Sequence, residues 1–81
     1  MGLAMSLTKN KIDWNRFALD LRSFRTSHNI TCRHMSRLTG VNFNVISRVE
    51  LGKIHCSADA FVTLALEIEK NPLDYVTTNS E

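Results

Sequence analysis

Proline occurs once in the 81 residues, at position 72, and glycine three times. So few breakers exclude a collagen-like or low-complexity chain and leave long stretches free to form helix. The two cysteines, Cys32 and Cys56, form no CxxC pair and are too few for a disulfide scaffold. His28, His34 and His55 stand in the same part of the chain, but the spacing matches no zinc pattern, so neither a metal nor another cofactor is expected. No apolar run approaches the roughly 18 residues of a membrane span. The start, residues 1–7, lacks a basic leader followed by a long hydrophobic segment, so a cytoplasmic protein without membrane contact is expected. Paired carboxylates, a nucleophile–base pair and a phosphate loop are all missing. That sets an enzyme aside and leaves no small-molecule ligand evident.

What is present is a chain 43% hydrophobic and 22% charged, ordinary for one small globular domain. The net charge of +2 is unevenly spread. Residues 27–56 carry Arg33, Arg37, Arg48 and Lys53 against Glu50 alone, whereas residues 57–81 carry Lys70 against five carboxylates. A basic front and an acidic back suit a protein that turns one face to a polyanion.

From Asp13 onward the periodicity is helical, and no stretch shows strand alternation. Residues 1–12 have no period and read as a flexible arm. Asp13 is an N-cap ahead of Trp14, Phe17, Ala18, Leu21 and Phe24, which recur at helical spacing to about residues 27–29. Thr31 caps a short second helix from Cys32 to about Leu38, with Ile30 and Met35 placed as a hydrophobic staple. Gly40 makes the sharp turn that a Cβ would oppose. Asn42 caps the third helix, Val41 and Ile46 repeat the staple, and Gly52 stops it after Glu50. Ser57 caps a fourth helix with Phe61, Leu64, Ala65 and Ile68 inward, and Asn71-Pro72 opens a short fifth. The expectation is an all-α, five-helix bundle over residues 13–76, followed by a disordered tail at residues 77–81.

In the third helix Ile46 and Val49 point inward, with Val45 beside them. Phe43, Asn44, Ser47 and Arg48 are left on the opposing side. The stretch "LTGVNFNVISRVELGK", together with "FVTLALEI" and "NPLDYV", resembles the phage-repressor or Cro-type helix-turn-helix DNA-binding domains. The resemblance runs from about Phe17 to Val76. It is carried by Met35 and Leu38, Gly40 in the turn, Ile46 and Val49, then Glu50 and Gly52.

That resemblance implies a transcriptional regulator that binds double-stranded operator DNA as a homodimer, through a recognition helix at about residues 42–50. Base contacts are then expected from Asn44 on adenine, Arg48 on guanine or a phosphate, Phe43 on a thymine methyl, and the permissive Ser47. Phe43 also competes for a place in the core, as phenylalanine does generally. Phosphate contacts are expected from Thr31, Cys32, Arg33, Arg37, Asn42 and Lys53. Cys32 stands where the family commonly has a glutamine, which leaves that contact to its backbone amide. By the same resemblance Arg25 and Glu50 pair beneath the recognition helix, with Gly40 and Gly52 as structural turns. Leu73, Tyr75 and Val76 are expected to form the two-fold interface. Restriction–modification controllers and antitoxins share this architecture and are the alternative functional settings.

Overall fold

A computed structural model describes residues 10–78 of the chain. Strand β1 (Asn10–Ile12) leads into α1 (Trp14–Ser27), α2 (Cys32–Thr39), α3 (Phe43–Glu50) and α4 (Ala58–Glu67). A 3-10 helix (Pro72–Tyr75) and strand β2 (Val76–Thr78) follow. Among the described residues the domain is small and built of four α-helices. It departs from the expected five-helix bundle in two ways.

The fifth helix is a single 3-10 turn, because only four residues separate the Asn71 cap from extended Val76. The second departure concerns the chain ends. Residues 10–12, expected in a flexible arm, pair antiparallel with residues 76–78, with Ile12 opposite Val76. Thr77 and Thr78, expected in a disordered tail, are therefore strand. Once the core brings the two ends together, the backbone N–H and C=O groups of each satisfy the other. The remainder of the expected arm, residues 1–9, and of the tail, residues 79–81, lies outside the described residues.

Every helix begins on a side chain that accepts a free amide of its first turn. Asp13 accepts from the Arg16 amide at 3.1 Å and Thr31 from that of His34 at 3.0 Å. Asn42 accepts from the Asn44 amide at 2.8 Å, Ser57 from that of Ala60 at 3.2 Å, and Asn71 from that of Leu73 at 2.9 Å.

The C-terminal ends share a second device. After α1, α3 and α4 the chain turns through one residue of positive φ: Asn29 at 55°, Gly52 at 74° and Glu69 at 64°. In each case the next amide closes back on the helix, as Lys53 does on the Arg48 carbonyl and Lys70 on that of Ala65, both at 2.9 Å. This is the Schellman pattern, and glycine fits its left-handed position best. Glu69 occupies that position with a Cβ.

The core is one cluster of Phe17, Leu21, Met35, Ile46, Val49, Phe61, Leu64, Ala65, Ile68 and Tyr75. Its aromatic end is built edge to face: Phe17 meets Phe61 at 4.9 Å and Tyr75 at 5.2 Å between ring centroids. Trp14 covers this end and stacks on His55 at 4.6 Å.

Tyr75 is the main correction to the expected interface. It has no exposed surface, and its hydroxyl donates to Asp20 Oδ2 at 2.7 Å. Two further bonds draw the segment onto α1: the Asp13 amide donates to the Tyr75 carbonyl at 2.7 Å, and Arg16 Nη1 to the Asp74 carbonyl at 3.2 Å. Ring and hydroxyl are both satisfied internally, so Tyr75 offers nothing to a second copy. Val76 is half-buried, leaving Leu73, 72% exposed, as the free apolar group of the three.

Candidate nucleic-acid interface

The last residue of α2, Thr39, and the first of α3, Phe43, are separated by three residues, 40–42. Gly40 sits at φ 78°, and among the described residues no atom beyond its own chain neighbours lies within 4 Å of where its Cβ would be. The need for glycine is therefore conformational, not a matter of space. Its amide closes on the Ser36 carbonyl at 2.7 Å, and Asn42 at once caps the next helix. So tight a reversal seats α2 and α3 on each other through Met35, Ile46 and Val49, with Ile30, Val41 and Val45 packed around them.

Beneath α3 lies a bidentate ion pair. Arg25 Nε and Nη2 each donate to a Glu50 carboxylate oxygen at 2.8 Å, and Nη1 donates to the Ile30 carbonyl at 3.0 Å. The Glu50 side chain is only 5% exposed and that of Arg25 18%. The planar fork fixes α3 against the end of α1 in both distance and rotation. The hydrogen bond to Glu50 holds the arginine above its ordinary range. The expected scaffold pair is present, with Ile30 as an added acceptor that spacing alone does not reveal.

With Ile46 and Val49 buried, Phe43, Asn44, Ser47 and Arg48 fall within one sector of about 140° on α3, at about 100° per residue. Asn44 and Arg48 are exposed, while Phe43 and Ser47 are half-buried. Neither the Asn44 nor the Arg48 side chain has a protein partner among the described residues. The same holds for the cationic ends of Arg37 and Lys53. These groups are exposed, unneutralised donors around one helix. By contrast Arg16 is engaged by Asp20 and the Asp74 carbonyl, and Arg25 by Glu50.

The other expected phosphate contacts divide by chemistry. Thr31 and Asn42 use one oxygen each as a cap, which leaves the Thr31 hydroxyl proton and the Asn42 amide N–H groups to donate outward. The backbone amide of Cys32 has no acceptor among the described residues, in keeping with its place in the first turn of α2. Its thiol instead packs against the core, and burial pushes its pKa up, reinforced by the Glu50 carboxylate. Arg33 is not free in the same sense as Arg37, because its guanidinium carbon lies 4.2 Å from the centroid of the Phe43 ring.

Two concave surfaces flank this region. A groove of about 490 Å³ runs between the turn and the start of α4, with Val41, Val45, Ile54 and Cys56 among its walls. A smaller cleft, about 270 Å³, separates Leu19 on α1 from Leu51 after α3. Among the described residues no cluster of histidine, cysteine or carboxylate could hold a metal, both cysteines are free, and no helix is long and apolar enough to cross a membrane. Comparison with protein-family models, with curated proteins and with solved structures returns no match to this chain.

Proposed function

We propose that the chain is a sequence-specific DNA-binding regulator whose α2–turn–α3 unit is a helix-turn-helix, with α3 entering the major groove. The observation that carries this reading is the outward face of α3. It presents Asn44 and Arg48, exposed and without protein partners, on a helix held from behind by the Arg25–Glu50 fork. A major groove admits one α-helix and exposes the adenine and guanine edges that asparagine and arginine recognise in pairs of bonds. Arg37 and Lys53, with the donors of Thr31 and Asn42 and the Cys32 amide, supply contacts to the phosphates on either side.

One such unit reads few base pairs, so a homodimer on a palindromic operator is the natural working form. With Tyr75 in the core, the two-fold surface moves to Leu73 together with Leu66 and Val62, one turn apart on α4, all three exposed. Repression would follow from occluding a promoter, in the cytoplasm where such an operator lies. The controller and antitoxin settings use the same unit and differ in their neighbouring genes.

The test is selection of duplexes from a randomised pool, followed by titration of the recovered sequence at several salt concentrations. Affinity should fall steeply with salt as bound cations displace counterions. Arg48→Ala and Asn44→Ala should each relax preference at one base pair by about 1–3 kcal/mol, whereas Arg37→Ala should weaken all sequences alike. Failure to recover any enriched sequence would remove the reading.

A further inference from the structure

Arg33 is the second residue of α2 and Phe43 the first of α3, so the contact between them spans the turn. The guanidinium carbon stands 4.2 Å from the ring centroid, well within the reach of a cation–π contact. Among the described residues Arg33 has no carboxylate partner, and the Phe43 ring is the one contact of its guanidinium. A cation–π contact uses no hydrogen-bond acceptor, so the guanidinium N–H donors that do not point into the ring stay free for another acceptor. The ring pays for this contact with one of its own faces, since the guanidinium covers it.

We propose that Phe43 is a positioning residue for Arg33: its ring is a platform that holds the guanidinium at the N-terminal edge of α3, aimed at a DNA backbone phosphate. This rests on the DNA-binding reading above and changes the part Phe43 plays in it, from reader of a thymine methyl to support of an anchor. Three features favour a phosphate over a base edge. Arg33 belongs to α2, the helix outside the groove in this reading. Arg37 lies one turn further along the same flank of α2 and is also exposed. Arg33 and Phe43 both stand in the first turns of their helices, where free backbone amides and the positive dipole end suit an anion. Among the described residues Arg37 has no ring beneath it, and so serves as an internal control.

The experiment uses the full chain and the duplex recovered by selection. Phe43→Leu keeps apolar bulk in a half-buried place but removes the π face. It should weaken binding by about two- to five-fold, the range of an exposed cation–π contact. The loss should be the same on every single-base variant of the duplex. In an Arg33→Ala background Phe43→Leu should have no further effect, whereas in an Arg37→Ala background it should keep its full effect. Phe43→Trp should restore wild-type binding, and thermal melts of each variant separate binding losses from unfolding. In the free protein the Arg33 δ-methylene protons should be shifted upfield by the ring, and Phe43→Leu should abolish that shift. A Phe43→Leu loss confined to variants of one base pair and persisting without Arg33 would overturn the proposal and make Phe43 a base reader. Absence of the upfield shift would also overturn it, without touching the DNA-binding reading, which stands or falls on wild-type binding alone.

Discussion

Removing Arg25 leaves the Glu50 carboxylate, 5% exposed, without the two donors at 2.8 Å that offset its desolvation. The Ile30 carbonyl loses its bond from Nη1 as well. Breaking a buried pair from one side costs about 3–5 kcal/mol because the remaining charge stays buried. Arg25 retains some water, so Arg25→Ala belongs at the lower end, near about 3 kcal/mol. A domain of this size has a total stability of about 4–12 kcal/mol, so this one change removes a large share of it. Glu50→Gln keeps the shape and one acceptor and should cost about 2 kcal/mol, within the range for a charged hydrogen bond. The double variant Arg25→Met/Glu50→Leu removes both charges together and should lie within about 1 kcal/mol of wild type. Urea unfolding followed by the fluorescence of Trp14, the only tryptophan, measures all four proteins. If the double variant lost the sum of the single losses, or if Arg25→Ala lost less than about 1 kcal/mol, the desolvation argument would be wrong. The double variant carries a second expectation. Under the proposed DNA-binding reading, it should recover stability without recovering duplex affinity, because apolar packing does not fix the rotation of α3 as a bidentate fork does.

Glu69→Gly should raise stability by about 1 kcal/mol in the same urea assay, since it relieves a left-handed Cβ at φ 64°. Burial, and then the bond to Asp20, push the Tyr75 phenol above its ordinary value. Its folded pKa therefore exceeds the unfolded one near about 10, so its contribution is complete below that pH and is lost as pH rises above it. Tyr75→Phe should flatten the alkaline limb of stability above about pH 10 while lowering stability at neutral pH by about 1 kcal/mol for the lost hydrogen bond. Burial also pushes the Cys32 and Cys56 thiols up, so both should alkylate more slowly at pH 8 in the folded protein than in urea.

The features legible in the sequence are those written within a turn or two of chain. Asp13, Thr31, Asn42, Ser57 and Asn71 each announce a helix start because a cap is a contact between residues two or three apart. The apolar period then fixes which side turns inward, and so which side of α3 is left to Asn44 and Arg48. What sequence reasoning missed joins distant residues. β1 and β2 are three residues each, too short for alternation to register, and their pairing follows only from where the core brings the ends. Tyr75 reads as a surface residue when judged on its own short helix, because its hydrogen-bond partners, Asp13 and Asp20, lie 62 and 55 positions earlier and Phe17, against its ring, 58. The Schellman turn at Glu69 hides for a different reason: its usual glycine signal is absent and the packing of Ile68 holds the turn regardless.

The stack of Arg33 on Phe43 belongs to the same class and matters most for function. Taken residue by residue under the proposed DNA-binding reading, the outward side of the unit would divide into base readers on α3 and phosphate anchors on α2. A ring on one helix that holds a cation from the other crosses that division, and no helical period encodes it. The placement of α3 is therefore fixed at three levels. The three-residue turn sets its separation from α2, the Arg25–Glu50 fork sets its rotation against α1, and, in the proposal above, the Phe43 ring sets the direction of an α2 donor relative to it. Each level constrains a different degree of freedom. A substitution at one should therefore change binding in a way that the others cannot repair.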